Sequence, residues 1–338
     1  MRIILDGMGG DNAPAAIVEG AVLASKQIEH EIYIIGQEEL INAELAKHSY
    51  DAEKISVVDA REVITNDEAP VRAVRSKKQS SIVKGINMVK SGEGDVFVSA
   101  GSTGALMAGG LFILGRIQGI DRPALASIYP IIGGKPSLLL DAGANSECKP
   151  NNLLEFGIMG NIYMNKVLGL ENPRVGLVNI GAEAAKGSTL TKAAYELLEH
   201  SNLNFVGNVE AREVPRSACD VIVTDGFTGN VILKLTEGLA LNILSVLKKR
   251  FTDGVKAKMG SILLLDKLKG LKKEFDYSEY GGAPILGVKG PIVKMHGSSK
   301  SNAVKNTILK AIPFAEEDVV GIIQNSVLEI EELELSDF

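Results

Sequence analysis

A repeated order of strand, small-residue turn and helix constrains this chain more than any other feature of its sequence. Apolar runs of strand length, such as "DVFVS" and "SLLLD", end in turns of small residues and are followed by segments of helical length. Strands that alternate with helices favour a mostly parallel sheet with helices on both faces. The sequence therefore predicts an α/β fold with three layers, α/β/α.

Five of these strands are followed by loops rich in glycine and small polar residues, at 6–12, 99–104, 141–146, 181–188 and 225–230. In an open α/β sheet, the loops at the carboxyl ends of the strands form the ligand crevice. Glycine lets the backbone approach a ligand, and the following helix presents its first N–H groups to an anion. Together the loops predict a site for phosphate or a phosphorylated group. Turn and capping chemistry explains any one of them alone.

Composition and charge narrow the classes of protein further. Of the 338 residues, 45% are apolar, and 36 basic against 42 acidic residues give a net charge of −6. Such a chain is expected to be globular, and no overall positive charge favours general nucleic-acid binding. Two distant cysteines, an amino terminus typical of a first strand and no apolar run of about 20 residues predict a cytoplasmic protein, attached at most to a membrane surface.

Motifs for several other chemistries are incomplete or absent. "DGMGGDN" lacks the third glycine of a dinucleotide-binding fingerprint, while "GAEAAKGST" and "GGKPS" do not match a nucleotide-binding P-loop. The chain has no G-x-S-x-G motif of serine hydrolases, and its four histidines lack metal-ligand spacing. We therefore expect no metal and no cofactor, and a chemistry that depends on backbone amides, hydroxyls and a few charges.

Eight ordered motifs resemble those of one family, the fatty acyl-acyl carrier protein (acyl-ACP):phosphate acyltransferases of bacterial phospholipid synthesis, or PlsX family. They are "DGMGGDNAP", "DEAPVRAVRSKKQSS", "SAGSTGALMA", "LLLDAGAN", "NIGAEAAKGS", "TDGFTGNVILK", "YGGAPILGVKG" and "HGSSKSNA", which together span essentially the whole chain. The resemblance implies a fold similar to the isocitrate and isopropylmalate dehydrogenases and the phosphotransacetylases, with one large mixed sheet. Residues 1–338 would form a single catalytic unit of two intertwined subdomains, and two copies would form a homodimer.

The same resemblance implies the reaction and its partners. A fatty acyl group moves from the thioester of acyl-ACP to inorganic phosphate, which gives acyl phosphate for phospholipid synthesis and free ACP. Phosphate itself attacks the thioester carbonyl, so the protein supplies positioning and oxyanion stabilisation rather than a covalent nucleophile. Two alternatives stay open: a phosphotransacetylase or phosphotransbutyrylase that acts on acyl-CoA, and a non-catalytic sensor of acyl-ACP or lipid.

The small-residue loops supply most of the candidate site residues. Six of them are expected to hold phosphate: Ser102, Thr103, Gly104, Asn145, Thr228 and Gly229. Three residues are catalytic candidates: Lys186, Asn230 and His296. Lys186 would neutralise phosphate or the developing oxyanion, and Asn145, Asn230 or His296 would donate a hydrogen bond to the carbonyl oxygen. A solvated loop lysine and a histidine incidental to a capping loop are the alternative interpretations.

Two charged segments suggest contacts with partners. A basic cluster is a candidate surface for the acidic carrier protein or its pantetheine phosphate, and consists of Arg72, Arg75, Lys77 and Lys78. A solvated helix face explains the same charges. A protruding amphipathic helix is expected over 253–276, and its candidate contacts with the inner membrane surface are Ile262, Leu263, Leu264, Leu268 and Lys272. A dimer helix and a carrier-docking surface are the alternatives for this segment.

Overall fold

The computed structural model describes residues 1–131, 133–254, 270 and 281–336, with side chains as far as residue 328. Within these ranges, twelve strands, numbered in chain order, form two sheets. The strands are β1 (Arg2–Asp6), β2 (Glu31–Gly36), β3 (Ile55–Asp59), β4 (Val96–Ser99), β5 (Ala124–Leu125), β6 (Ser127–Tyr129), β7 (Ser137–Leu140), β8 (Arg174–Asn179), β9 (Asn204–Glu210), β10 (Val221–Val223), β11 (Ala283–Leu286) and β12 (Ile292–Lys294).

The two sheets are mixed, and most of their neighbouring strands are parallel. The seven-stranded sheet has the order β3-β2-β1-β4-β12-β11-β5, and the five-stranded sheet has the order β6-β7-β10-β8-β9. Only β11, against β12 and β5, and β6, against β7, pair antiparallel among the described strands. The predicted α/β class is confirmed, with two sheets in place of the one expected. The chain passes from one sheet to the other between β5 and β6, because β5 pairs with β11 in the seven-stranded sheet whereas β6 pairs with β7 in the five-stranded sheet.

Ten α-helices, also numbered in chain order, occur in the described residues. They are α1 (Ala15–Ser25), α2 (Glu38–Leu45), α3 (Pro70–Ser76), α4 (Ser81–Ser91), α5 (Thr103–Gly109), α6 (Pro150–Lys166), α7 (Thr189–Glu199), α8 (Gly226–Thr252), α9 (Ser301–Glu316) and α10 (Val319–Ser336). A π-helical turn, Gly110–Leu114, continues α5, and a short 3₁₀ turn covers Val214–Arg216.

Strand β1 shows why the central strands are continuous apolar runs. Ile3 and Leu5 belong to a core on one face of the sheet, which includes residues of α1 and α9. Ile4, between them, belongs to a second core on the opposite face, which includes residues of α4. A strand covered on both faces needs apolar side chains in both directions, so its sequence loses the usual alternation. Helices therefore lie on both sides of this sheet.

Helix α8 differs from the other helices in its exposed apolar side chains. It packs on the five-stranded sheet where the Tyr129 hydroxyl lies 2.9 Å from Thr236 Oγ1. Seven large apolar side chains along the helix are exposed: Phe227, Val231, Leu235, Leu239, Leu241, Ile243 and Val246. Among the described helices, α8 alone is long and apolar enough to cross a membrane by length and composition, a property that the sequence analysis did not anticipate. The core helix of a globular protein can have the same length and apolar composition.

The predicted protruding segment, 253–276, begins at the end of α8. Residues 255–269 and 271–280 lie outside the described residues. All five predicted membrane contacts fall there: Ile262, Leu263, Leu264, Leu268 and Lys272. They stay a prediction from the sequence.

Candidate active site

The loops after β1 and β4 meet at the carboxyl edge of the seven-stranded sheet through a buried carboxylate. The Ser99 hydroxyl donates to Asp6 Oδ2 at 2.6 Å, and the Met8 N–H donates to Asp6 Oδ1 at 3.1 Å. The Gly101 N–H in turn donates to Ser99 Oγ at 2.9 Å. Burial raises the pKa of Asp6, and the hydrogen bonds oppose that shift. Asp6 therefore orders two of the predicted ligand loops.

The loop after β12 is held against the loop after β1. The Asp11 N–H donates to the Gly297 carbonyl at 2.8 Å, and Asn12 Nδ2 donates to the Ser298 carbonyl at 3.1 Å. Gly10 has a φ of +92°, and a Cβ there would lie 2.8 Å from the Gly297 oxygen, so only glycine fits. The motif "DGMGGDN" therefore positions the segment that carries His296.

A second buried carboxylate organises the loops after β7 and β10 in the other sheet. Asp141 accepts hydrogen bonds from the N–H groups of Gly143 at 3.1 Å and Asn145 at 2.6 Å, and from Asn145 Nδ2 at 2.9 Å. The Gly226 N–H donates to the Asn145 carbonyl at 2.8 Å. No side chain fits at Gly229, because a Cβ there would overlap the Asp141 carbonyl oxygen. The two loops thus form one unit at the start of α8.

A cleft of about 270 Å³ lies between the two sheets, and the loops after β7 and β12 contribute to its lining. It is lined by the start of α5, by β5, β6 and the loop after β7, by α8, by β11 and the residue before it, by β12 and the loop after it, and by α9. The lining residues are Thr103, Leu125, Ser127, Ile128, Ala142, Gly143, Asn230, Leu233, Lys234, Glu237, Gly282, Ala283, Lys294, Met295, His296, Ser299, Ala303 and Thr307. Hydroxyl, amide, imidazole, ammonium and carboxylate groups therefore share the cleft with apolar side chains.

His296 lies in the cleft as a neutral hydrogen-bonding group. Burial, followed by the charge of Lys234, lowers its pKa, so the ring is uncharged at neutral pH. Its Nδ1 accepts a hydrogen bond from the Ser298 N–H at 3.2 Å and lies 2.8 Å from Ser298 Oγ. A neutral ring that accepts at Nδ1 carries its proton on Nε2, which makes that nitrogen a donor.

Lys294 is a lining residue that the sequence analysis missed. Its Nζ donates to the Met295 carbonyl oxygen, and burial lowers its pKa to about 8. Lys234, also in the lining, forms an ion pair with Glu237 at 2.8 Å. The signal for Lys294 was a charged residue at the end of the apolar run "PIVK", immediately before "MHGSS". A lysine in that place is easily interpreted as the solvated end of a strand.

Three of the nine predicted catalytic and phosphate-binding residues line the cleft: Thr103, Asn230 and His296. The other predicted loop residues are not among the lining residues. The Ser102 hydroxyl caps α5 by accepting from the Ala105 N–H at 3.5 Å, and the Thr228 hydroxyl donates to Asp225 at 2.7 Å. Gly104 packs against Pro70.

Lys186 lies apart from the cleft lining. It is exposed on the loop after β8, where its carbonyl accepts from Asn179 Nδ2 at 3.2 Å. Since β8 pairs with β10, this loop lies at the same edge of the five-stranded sheet as the start of α8.

The predicted basic cluster is exposed only in part. Arg72, Arg75 and Lys78 are exposed, and the Arg75 guanidinium lies 5.1 Å from the centre of the exposed Phe112 ring. Lys77 is engaged internally, with its Nζ 2.7 Å from Glu68 and 2.7 Å from the Val63 carbonyl oxygen. Because α3 packs against α5, the surface formed by Arg72, Arg75 and Phe112 adjoins the loop after β4.

Neither thiol has the properties of a nucleophile. Burial raises the pKa of Cys148 to about 11 and that of Cys219 to about 12. Both thiols therefore stay protonated near neutral pH, and the thiolate is the reactive form. Neither cysteine is among the residues that line the cleft.

Comparison with known proteins places these features in a family. Residues 1–321 match the model of the family described as fatty acid synthesis protein. The chain is 54% identical to a phosphate acyltransferase of Alkaliphilus oremlandii and 50% identical to one of Clostridioides difficile. These alignments cover 97% of this chain in both cases, and 97% and 96% of the two relatives.

Solved structures with the same fold are more distant in sequence. A phosphotransacetylase from Streptococcus pyogenes superposes with a TM-score of 0.63 at 17% identity, covering 94% of each chain. A branched-chain phosphotransacylase from Enterococcus faecalis gives a TM-score of 0.57 at 14% identity, covering 93% of this chain and 99% of the other. These likenesses show the fold.

Proposed function

Because this chain belongs to the fatty acid synthesis protein family, we propose that it is a phosphate acyltransferase that moves a fatty acyl group from acyl-ACP to inorganic phosphate. The observation that carries the proposal is the cleft, in which donors from the start of α5, from α8, from β12 and from the loop after β12 share one space with apolar side chains. Neutral and charged donors suit a phosphate ion, and the apolar side chains suit an acyl chain. The close relatives named phosphate acyltransferase support the same reaction.

The reaction needs no nucleophile from the protein. A phosphate oxygen attacks the thioester carbonyl carbon, and the new C–O bond gives a tetrahedral oxyanion. The C–S bond then breaks, the carbonyl re-forms, and the thiolate of ACP leaves and takes a proton from solvent. The products are acyl phosphate and free ACP. The protein contributes by holding phosphate in line with the carbonyl and by donating hydrogen bonds to the oxyanion.

Named residues divide this work. Thr103 lines the cleft with a hydroxyl that binds phosphate. Asn230 and His296 line it with an amide and an Nε2–H that donate to the oxyanion. Lys186 keeps its predicted role as a cation for phosphate or oxyanion, supplied from the neighbouring loop after β8. Ser102, Gly104, Asn145, Thr228 and Gly229 contribute by holding the loops in place.

The carrier protein docks on the surface formed by Arg72, Arg75 and Phe112. Two exposed guanidinium groups suit an acidic partner, and the stacked ring adds apolar contact area. This surface adjoins the loop after β4, from which a pantetheine arm would reach Thr103. A phosphotransacylase that acts on acyl-CoA is the second candidate, because solved phosphotransacylases share the fold.

The enzyme acts in the cytoplasm as a homodimer that touches the inner membrane surface. The exposed apolar side chains of α8 support the dimer, since a stripe of this length is costly to leave in water. The basic amphipathic pattern of 253–276 supports the membrane contact.

Release of free thiol tests the proposed function. Purified enzyme is mixed with acyl-ACP or acyl-CoA, with and without inorganic phosphate, and the thiol is measured with a chromogenic disulfide. We expect thiol release that requires phosphate and is faster with acyl-ACP. Faster release from acyl-CoA would establish the second candidate. No release from either donor would contradict an enzymatic function and favour a sensor.

A further inference from the structure

Lys294 stands at the carboxyl end of a central strand, at the edge where the ligand loops converge. In the parallel pair β4–β12 it is opposite Ser99, the last residue before the loop that leads to Thr103 at the start of α5. The Met295 N–H donates to the Ser99 carbonyl at 2.7 Å, which fixes this register. The side chain lines the cleft together with Thr103, Asn230 and His296.

The charges around Lys294 do not pair with it. Asp6 and Asp11 act on it from the β1 end and the loop that follows, Lys234 acts from α8, and Glu237 and His296 also line the cleft. Asp6 is bonded to Ser99 and Met8, and Glu237 is paired with Lys234. Within the described residues, Lys294 forms no ion pair, and its bond is to the Met295 carbonyl oxygen.

An ammonium group removed from water without a counter-ion is unfavourable for the free protein. This unfavourable burial of the charged form is the main reason why the pKa of Lys294 is lowered. An anion that enters the cleft offsets the cost, and it binds more tightly than it would to a fully solvated lysine, because the half-buried side chain has already lost part of its water.

We propose that the Lys294 ammonium is the direct counter-ion of inorganic phosphate in this cleft. The proposal rests on the proposed function, which makes phosphate a substrate. It adds a cation on the seven-stranded sheet to the neutral donors Thr103, Asn230 and His296. Phosphate would then be bound from the β12 side, and the oxyanion would form toward α8.

Calorimetric titration with inorganic phosphate tests the proposal without turnover. At neutral pH, Lys294→Met should weaken phosphate binding by between about 10-fold and about 100-fold, the usual effect of losing a charge-assisted hydrogen bond. Lys294→Arg should retain most of the affinity. Lys289→Met is the matched control, because it removes the same charge from the segment between β11 and β12, at the opposite end of β12. Thermal unfolding of each variant checks that it is folded.

The pH dependence of phosphate affinity distinguishes a Lys294 ammonium that binds phosphate from a lysine that only supports the fold. Above pH 8 inorganic phosphate is almost entirely dianionic, so further changes in affinity belong to the protein. Free Lys294 loses its proton as pH rises through about 8, so wild-type affinity should fall between pH 8 and 9.5. The guanidinium of Lys294→Arg stays charged, and its affinity should stay level over this range.

Several results would overturn the proposal. They are phosphate affinity within about 2-fold of wild type in folded Lys294→Met, an equal fall of affinity above pH 8 in Lys294→Arg, and a wild type that does not bind phosphate. Phosphate binding that depends on Lys294 in a protein that releases no thiol would uphold this inference and contradict the proposed function.

Discussion

At the scale of single residues, the chemistry of the cleft depends on which polar groups are already committed within the protein. The Thr228 hydroxyl is bonded to Asp225, and the Asn145 amide is bonded to Asp141 and to the Pro123 carbonyl oxygen. The Asn230 amide, by contrast, lines the cleft and has no hydrogen-bond partner among the described residues. A donor without a partner can donate a hydrogen bond to the oxyanion that forms in the reaction, whereas a donor that is already bonded within the protein holds a loop in place.

Replacing Asn230 therefore tests oxyanion stabilisation. Asn230→Ala should lower kcat by about 10²–10³-fold, as loss of one oxyanion donor does, with little change in the KM for phosphate. Steady-state thiol release measures both constants. Asn42→Ala, an exposed asparagine on α2, is the control and should leave kcat unchanged. A kcat of Asn230→Ala within a few-fold of wild type would show that Asn230 is not such a donor.

Replacing Lys186 tests the one catalytic candidate that lies outside the cleft lining. Lys186→Ala should reduce turnover severely, because a cation near phosphate or oxyanion is lost, and should leave the melting temperature unchanged, because the side chain is exposed. Lys192→Ala, an exposed lysine on the helix that follows, is the control. Near-normal turnover of Lys186→Ala would remove this residue from the mechanism.

At the scale of elements, the order of strands and loops was predictable, whereas the role of each loop residue, capping a helix or binding phosphate, was not. Alternating strands and helices place the loops after parallel strands at one edge, and this follows from sequence. A serine or threonine that caps a helix and one that binds phosphate occur in the same pattern, so Ser102 and Thr103 could not be told apart. The boundary between the two sheets could not be predicted either, because the strands on its two sides, β5 and β6, have only 2 and 3 residues.

Helix α8 provides a test at this scale. Leu235→Asp combined with Leu239→Asp should convert the proposed homodimer to monomer, because two carboxylates in an apolar interface would be buried without partners. Light scattering after size exclusion gives the mass. Asn242→Asp, an exposed polar position on the same helix, should remain dimeric. A wild type that is monomeric, or a double variant with unchanged dimer mass, would contradict this role of α8.

At the scale of the whole molecule, the cleft and the proposed membrane contact belong to one task. The cleft joins two sheets, and α8 runs from the cleft at Asn230 toward the segment 253–276. An acyl phosphate with a long chain is poorly soluble, so a membrane contact near the site of synthesis would shorten its path to the bilayer. The described residues include the cleft and α8, whereas most of the segment 253–276 lies outside them.

Vesicle flotation tests the proposed membrane contact of the segment 253–276. Wild-type protein should float with vesicles that contain anionic lipid, and Leu263→Asp combined with Leu264→Asp should not, because two charges would enter the apolar face of the amphipathic segment. Thiol release in solution should be retained by this variant, which controls for folding. Equal flotation of both proteins would contradict a membrane contact through Leu263 and Leu264.

A crystal structure with inorganic phosphate would show where the attacking ion binds. We predict one phosphate ion in the cleft between the two sheets, within hydrogen-bond distance of groups from Thr103 and Lys294 and within reach of Asn230. Phosphate found only outside this cleft, with the ligand loops in the same arrangement, would contradict the claim that these loops converge to hold the attacking ion.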